Sequence, residues 1–171
     1  MVRLRSLSMV MCFAFLIGCS SVRVATNPST IRAYKPDTPE SAKKLRATLV
    51  GKWLGQAVTD DGRIRKWMSE KRADGSLKIH FRTYNKDGEY EEQFEVGLWG
   101  VSGPIYFTII RAVIVNAMVN PIDPTDPYFY DAYEIIKLTG QEFECREVTT
   151  GDTYKAKKVA DDFELPEEKR S

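Results

Sequence analysis

Apolar and polar residues alternate along most of the chain after residue 50, which is the pattern of strands that bury one face. The clearest run extends from Leu77 to Phe81, where apolar residues alternate with Lys78 and His80. Short turns that contain glycine separate such runs, at 60–62, 73–75, 86–88, 139–140 and 150–152. The second part of the chain is therefore predicted to be all-β.

The alternation and the turns together predict eight strands, at 49–58, 64–72, 77–82, 90–98, 105–110, 128–138, 142–148 and 153–159. Because nearly all connections are short, neighbouring strands are expected to pair as antiparallel hairpins. An eight-stranded antiparallel up-and-down β-barrel fits this meander, since closure removes the sheet edges. An open sheet or a sandwich is the alternative. A barrel of this size is either filled by side chains or holds one small ligand.

One short helix is predicted before the strands. Thr38 suits the N-cap, Pro39 the first helical position and Glu40 the first turn. Leu45 and Leu49 follow at helical spacing, and we place the helix at about 39–47.

The N-terminus has the features of a secretory signal peptide, with Arg3 and Arg5 before the apolar run 9–17. That run is shorter than the roughly 20 apolar residues that cross a bilayer. The Leu-Ile-Gly-Cys sequence at 16–19 resembles the bacterial lipobox, in which the cysteine is acylated, for example with palmitate, and the chain is cut before it. This resemblance implies a signal peptide at 1–18 and a lipid on Cys19; an ordinary signal peptide with a chance cysteine is the alternative.

The segment after Cys19 suits a membrane tether. Residues 19–38 contain prolines and polar residues and show no period, so they lack the apolar surface to fold alone. Several acyl chains together hold a protein firmly on a membrane. Ser20 is not aspartate, which by resemblance to the sorting of Gram-negative lipoproteins favours the outer membrane, facing the periplasm. We expect a barrel domain at 39–166 and a polar tail at 167–171.

Composition excludes several functions. Without residues 1–18 the chain has 23 Lys and Arg against 24 Asp and Glu, a net charge of −1 that gives no support for nucleic-acid binding. Cys145 is then the only thiol that is not lipidated, so no intrachain disulfide forms. His80 is the only histidine, and with one free cysteine it forms neither a zinc site nor a recognisable catalytic triad. We predict no metal, no cofactor and no enzymatic activity.

The Gly51-Lys-Trp53 sequence, after a short helix and at the start of the first strand, resembles the opening of the lipocalin superfamily and its lipocalin-like bacterial relatives. The resemblance implies that Gly51 and Trp53 lie at the closed end of the barrel. It also implies that a cationic side chain of the last strand covers the tryptophan ring. Lys157 or Lys158 suits that place, and we name Lys157 for it. A cup that binds a small, often apolar molecule is implied, although some members have filled barrels that bind proteins.

Aromatic residues on several strands are the candidates for the ligand-binding wall: Trp67, Phe81, Tyr90, Phe94, Phe107, Tyr130 and Tyr133. The alternative for most of them is simple core filling. Glu92 and Glu134 share strand faces with tyrosines, and on an interior face both would be buried. Such a pair suits glycoside hydrolysis, but neutralisation by an arginine such as Arg82 is the more ordinary arrangement.

The segment 111–127 is the least regular part of the predicted barrel, because an apolar first half is followed by three prolines. Long connections in compact domains are often functional. We interpret it as an extension of the fifth strand, a flap over the barrel mouth or a docking surface. The sequence thus predicts a lipid-anchored envelope protein that binds a small apolar or amphipathic ligand; the alternative is an interaction module that contacts a protein through 111–127.

Overall fold

The computed structural model describes residues 39–165, and these begin with one helix, α1 (Pro39–Leu49). The helix runs two residues past its predicted end because Leu49 is fully buried, and its carbonyl accepts a hydrogen bond of 2.8 Å from Trp53 Nε1. Arg46 adds a cation–π contact, with its guanidinium carbon 4.5 Å from the ring centroid of Trp99. Within 39–165 no helix combines the length and the apolar composition needed to cross a bilayer. The predicted signal peptide, Cys19, the tether and the tail lie outside the described residues.

Nine strands follow the helix within residues 50–165: β1 (Gly51–Val58), β2 (Ile64–Lys71), β3 (Ser76–Tyr84), β4 (Tyr90–Ser102), β5 (Ile105–Val115), β6 (Met118–Pro121), β7 (Tyr130–Leu138), β8 (Glu142–Glu147) and β9 (Thr153–Val159). Eight of them match the predicted strands. The ninth is β6, which the sequence pattern did not separate from its loop.

Eight of the strands form a closed barrel. The pairing order is β4-β3-β2-β1-β9-β8-β7-β5, and an additional β4–β5 pairing joins the two ends of this series. Every pair is antiparallel, and each strand neighbours the one before it along the chain once β6 is set aside. The predicted eight-stranded up-and-down barrel, preceded by one helix, is therefore confirmed.

The segment 111–127 is largely a β-hairpin. β5 continues to Val115 and pairs with β6, so that Val115 faces Met118 across the turn. The turn residues Asn116 and Ala117 both have positive φ angles, 51° and 60°, as expected for the two central residues of a type I′ turn. Of the three interpretations, the extension of the fifth strand is confirmed, because β5 runs to Val115. The chain then returns along β5 as β6, which ends at Pro121.

Side chains fill the end of the barrel next to α1, which we call the closed half. Trp53 is fully buried and packs edge-on against Phe143, with ring centroids 5.8 Å apart. Tyr106 lies against the same phenylalanine at 5.6 Å, and Trp99 packs beside Tyr106. Cys145 belongs to this cluster, and burial raises the pKa of its thiol to about 12. It is thus a small apolar residue of the core.

A lysine also lies in this core. The side chain of Lys71 points into the closed half, and only 2% of the residue is exposed. Its ammonium donates a hydrogen bond of 2.8 Å to Ser69 Oγ and lies 5.0 Å and 5.4 Å from the ring centroids of Tyr106 and Phe143. Burial lowers the pKa of Lys71 from 10.5 to about 7, because the interior disfavours the charged form.

The two carboxylates singled out in the sequence lie on the outside of the barrel. Gln93 pairs with the inward-facing Phe81, so Glu92, its neighbour on β4, faces outward. Glu134 lies on the outer face of β7, where Arg146 across the strand pair forms an ion pair with it. An interior acid pair made of Glu92 and Glu134 is therefore wrong, because strand register places both side chains on the outer wall.

Candidate functional site

The inner wall of the other half of the barrel, which we call the open half, carries four aromatic rings: Trp67, Phe81, Tyr133 and Tyr154. Strand register places them on one wall, because Trp67 pairs with both Gly55 and Phe81. The Tyr154 ring lies edge-on to Trp67 at 5.9 Å and edge-on to Tyr133 at 6.0 Å. All four residues are only half-buried although they face the interior. The open half is thus accessible to solvent, in contrast to the filled closed half.

A cavity of about 650 Å³ lies at the rim of the open half. It occurs where β4 and β5 separate, because their pairing starts only at Phe94 and Ile114. Residues 90–93 therefore have no β5 partner, and the turn of the β5–β6 hairpin lies across the gap. Phe81 and Gln93 line the cavity from the inner wall.

Glu95 and Asp131 face the interior of the barrel, because Glu95 pairs with Ile79 and Asp131 with the buried Thr108. Gln93 Nε2 donates to Glu95 Oε1 at 2.9 Å, and Thr108 Oγ donates to Asp131 Oδ2 at 3.1 Å. Burial raises the pKa of both Glu95 and Asp131. The charge of Asp131 raises the pKa of Glu95 further, and that of Glu147 does the same to Asp131. The open half therefore holds mutually repelling carboxylates beside aromatic rings.

Arg65 is a cation whose charge acts on Glu95, but its side chain is directed elsewhere. Its Nε donates to Thr83 Oγ at 3.2 Å, and its guanidinium carbon lies 5.4 Å from the ring centroid of Phe81. It makes no ion pair with a carboxylate of residues 39–165. Its charge lowers the pKa of Glu95 only as the smallest of the contributions.

The seven aromatic candidates divide between the two faces of the barrel. Trp67, Phe81 and Tyr133 lie on the inner wall of the open half. The other four lie on the outer wall: Tyr90, Phe94, Phe107 and Tyr130. Tyr90 and Phe94 also border the rim cavity. Phe107 covers Gly100, and the hydroxyl of Tyr130 donates to the Pro124 carbonyl at 2.6 Å.

Gly51, Trp53 and a lysine of β9 meet at the closed end of the barrel, as the resemblance implied. The lysine is Lys158 and not Lys157. Lys158 Nζ lies 5.3 Å from the ring centroid of Trp53 and donates to the Val50 carbonyl at 2.8 Å. Lys157 is instead exposed on the outer face, because β9 residues alternate and Lys158 is the one opposite Trp53. Gly51 has a φ of +115°, and a Cβ there would lie 3.1 Å from Lys158 Cε.

A second group of polar residues lies on the outer wall of β3 and β4. His80 Nε2 lies 2.7 Å from Glu92 Oε1, to which Arg82 Nε donates at 2.9 Å. The His80 ring stacks on Phe94 at 4.3 Å, so the histidine is buried on the outer wall rather than free in solvent. Arg82 also donates to the Leu165 carbonyl at 2.8 Å. This network holds the C-terminal segment against the barrel, beside a cavity of about 440 Å³.

The sequence pattern missed Glu95, Asp131 and Tyr154. On β4 the sequence made the aromatic residues Tyr90 and Phe94 candidates for the ligand-binding wall, whereas the polar residues that alternate with them were not among the candidates. The turn at 86–88 carried the correct signal, since it joins Tyr84 to Tyr90 and so pairs Phe81 with Gln93. Hydrophobicity alone predicts that Phe94 faces the interior. It faces outward instead, where the ring of His80 covers it.

Among residues 39–165, no cluster of three or more His, Cys, Asp or Glu side chains has the arrangement of a metal site. No protein-family model matches the chain. No curated protein matches it either.

Solved structures of small barrels resemble the chain at low identity. A lipocalin-like protein from Bacteroides uniformis has 18% identity and a TM-score of 0.41, over 66% of this chain and 99% of that one. A redesigned β-barrel, mFAP1 bound to DFHBI, has 11% identity and a TM-score of 0.38, over 67% and 98%. The tryptamine complex of the amine-binding protein of Rhodnius prolixus has 17% identity and a TM-score of 0.35, over 63% and 60%. These similarities are too low to classify the protein. Its fold class, a closed eight-stranded antiparallel barrel, is defined by the strand pairing of this chain itself.

Proposed function

We propose that this protein is a lipid-anchored, lipocalin-like binding protein of the bacterial envelope, which holds a small amphipathic molecule in the open half of its barrel. The observation that carries the proposal is that inward-facing aromatic residues, Trp67 among them, stay partly exposed in a closed barrel. A core built for stability alone would bury them, as the closed half does with Trp53. Apolar walls with a few polar groups are the usual composition of a small-molecule site.

The anchor belongs to the N-terminus. The Leu-Ile-Gly-Cys sequence ending at Cys19 supports lipidation, and Ser20 supports the outer membrane as the destination. The 20 residues from 19 to 38, if extended at about 3.3–3.6 Å each, span up to roughly 70 Å. A barrel on such a tether reaches solutes in the periplasm while it stays on the membrane.

We expect the full-length chain to bind the neutral fluorescent probe N-phenyl-1-naphthylamine with saturable enhancement of fluorescence. Replacement of Gln93 by Trp, which adds bulk where the rim cavity meets the inner wall, should weaken binding at least tenfold. Lys157→Trp adds the same side chain to the exposed outer face of β9 and should leave binding unchanged. Equal binding by all three proteins would contradict a site in the open half.

We expect Cys19→Ala to leave the protein uncut or to release it from the membrane, because the thiol that would carry lipid is gone. Membrane fractionation with intact-mass analysis of the wild type and the variant measures this. Cys145→Ala is the control, since that thiol lies in the core and should not affect attachment. Normal membrane attachment of Cys19→Ala would contradict the lipid anchor.

A second candidate function is an interaction module of the envelope that binds a protein through 111–127. The observation that favours it is the exposure of Met118 and Val119 on β6, at 64% and 62%. Photocrosslinking from position 119 in cells distinguishes the two functions. A stoichiometric crosslinked partner, together with no binding of the naphthylamine probe, would favour the second.

A further inference from the structure

We propose that the ligand of the open half is a small organic ammonium ion, held against the aromatic wall and beside Glu95 and Asp131. This inference rests on the proposed function, because it names the chemical class of the ligand for that same site.

The aromatic wall is the first step. Trp67, Tyr133 and Tyr154 lie edge-to-face with neighbouring centroids about 6 Å apart, and all three are partly exposed. Exposed aromatic faces attract cations through their quadrupoles, and sets of such rings bind quaternary ammonium groups. A wall made only for apolar ligands has no need of carboxylates beside the rings.

The charge balance of the interior is the second step. Glu95 and Asp131 have no ion-pair partner among residues 39–165, and Glu147 adds a third negative charge nearby. Two of the cationic side chains inside the barrel are Lys71 and Lys158, and both are in the closed half. Lys71 hydrogen-bonds to Ser69, and Lys158 covers Trp53.

The cost of desolvation is the third step. A neutral or anionic ligand in the open half would remove water from Glu95 and Asp131 without replacing its interactions, which is unfavourable for buried charges. An ammonium ion replaces the lost water with an ion pair and contacts the rings at the same time. Arg65 does not compete for the carboxylates, because it is bound to Thr83 and lies over Phe81.

The test uses two molecules of the same shape, phenyltrimethylammonium and its neutral carbon analogue tert-butylbenzene, with isothermal titration calorimetry on the full-length chain. We expect the cation to bind at least tenfold more tightly. The double variant Glu95→Gln with Asp131→Asn should lose at least tenfold in affinity for the cation and bind tert-butylbenzene at least as tightly as the wild type does, because no charged carboxylate is then desolvated. Glu134→Gln, which removes a carboxylate from the outer face, should change neither.

The outcomes separate this inference from the function on which it rests. If tert-butylbenzene binds as tightly as the cation, the proposed function stands and the cationic ligand is wrong. If the double variant binds the cation like the wild type, the carboxylates are not the site. If neither molecule binds a protein whose circular dichroism shows the native barrel, both the site and the ligand class are overturned.

Discussion

Lys71→Met should make the protein more stable at pH 7, by about 1–4 kcal/mol, since each unit by which burial depresses a pKa corresponds to about 1.4 kcal/mol. The physical reason is the cost of placing an amine in an interior that disfavours its charge, which lowers the pKa of Lys71 to about 7. Methionine has a similar length and replaces the ammonium with an apolar group among Tyr106 and Phe143. The single hydrogen bond to Ser69 Oγ is lost, but that serine is small and its unpaired hydroxyl costs less than the buried amine.

The dependence on pH gives this prediction its signature. The folded-state pKa of Lys71 is depressed, so between pH 7 and 10.5 the unfolded chain binds more protons than the folded chain. Stability attributable to this group therefore rises with pH across that interval, by up to about 1.4 kcal/mol per pH unit. Lys71→Met removes the slope, and its advantage over the wild type should shrink as the pH rises.

Urea denaturation at pH 7, 8 and 9, followed by tryptophan fluorescence, measures both the gain and the slope. Lys157→Met is the matched control, since it removes a lysine from the exposed face of β9 and should leave the slope of the wild type in place. A loss of stability at pH 7 in Lys71→Met would show that the ammonium contributes to the core more than its burial costs.

The architecture could be predicted from the sequence because it depends on the alternation of apolar and polar residues and on the positions of the turns. Leu77 to Phe81 alternate regularly, and the glycine turns fix where each strand ends, so hairpin pairing and closure follow from short connections. The helix start followed from Pro39 and Glu40 in the same way. These features involve residues close together along the chain, so they can be recognised in a single sequence.

The residues that face the interior of the barrel were harder to predict from the sequence, because the direction of a side chain depends on what covers each face of its strand. On β4 the aromatic Phe94 faces outward under His80, whereas the polar Gln93 and Glu95 face inward. No pattern within β4 reverses the usual rule that apolar residues face the core. The outward network includes a hydrogen bond from Arg82 to the carbonyl of the distant Leu165. No single stretch of the sequence indicates a contact between segments that lie so far apart along the chain.

The choice between Lys157 and Lys158 failed for a related reason. Adjacent residues on a strand face opposite sides, so a shift of register by one residue exchanges their roles. The register of β9 is set by its pairing with β1, where Lys158 lies opposite Trp53. Nothing in the run Lys155 to Lys158 states which residue pairs with the tryptophan.

Gly97→Ala should destabilise the barrel by at least about 3 kcal/mol, because it affects the β4–β5 pairing that closes it. A Cβ at Gly97 would lie 2.1 Å from the Ile109 carbonyl oxygen and 2.8 Å from Ile110 Cα. Both contacts are to backbone, so no side-chain rotation relieves them. The register shifts at this point, where Val96 pairs with Ala112 and Gly97 with Ile110. The bulge brings the two backbones too close together for any side chain.

Gly140→Ala is the matched control and should have the opposite sign. A Cβ at Gly140 meets no atom within 4 Å, and its φ lies outside the left-handed region. The same substitution there should therefore stabilise the protein by up to about 1 kcal/mol, through the reduced freedom of the unfolded chain. Urea denaturation of both variants measures the difference. At an exposed strand position, alanine is more stabilising than glycine. If Gly97→Ala were as stable as Gly140→Ala, the backbones of β4 and β5 would not approach this closely. The barrel would then be open along this strand pair.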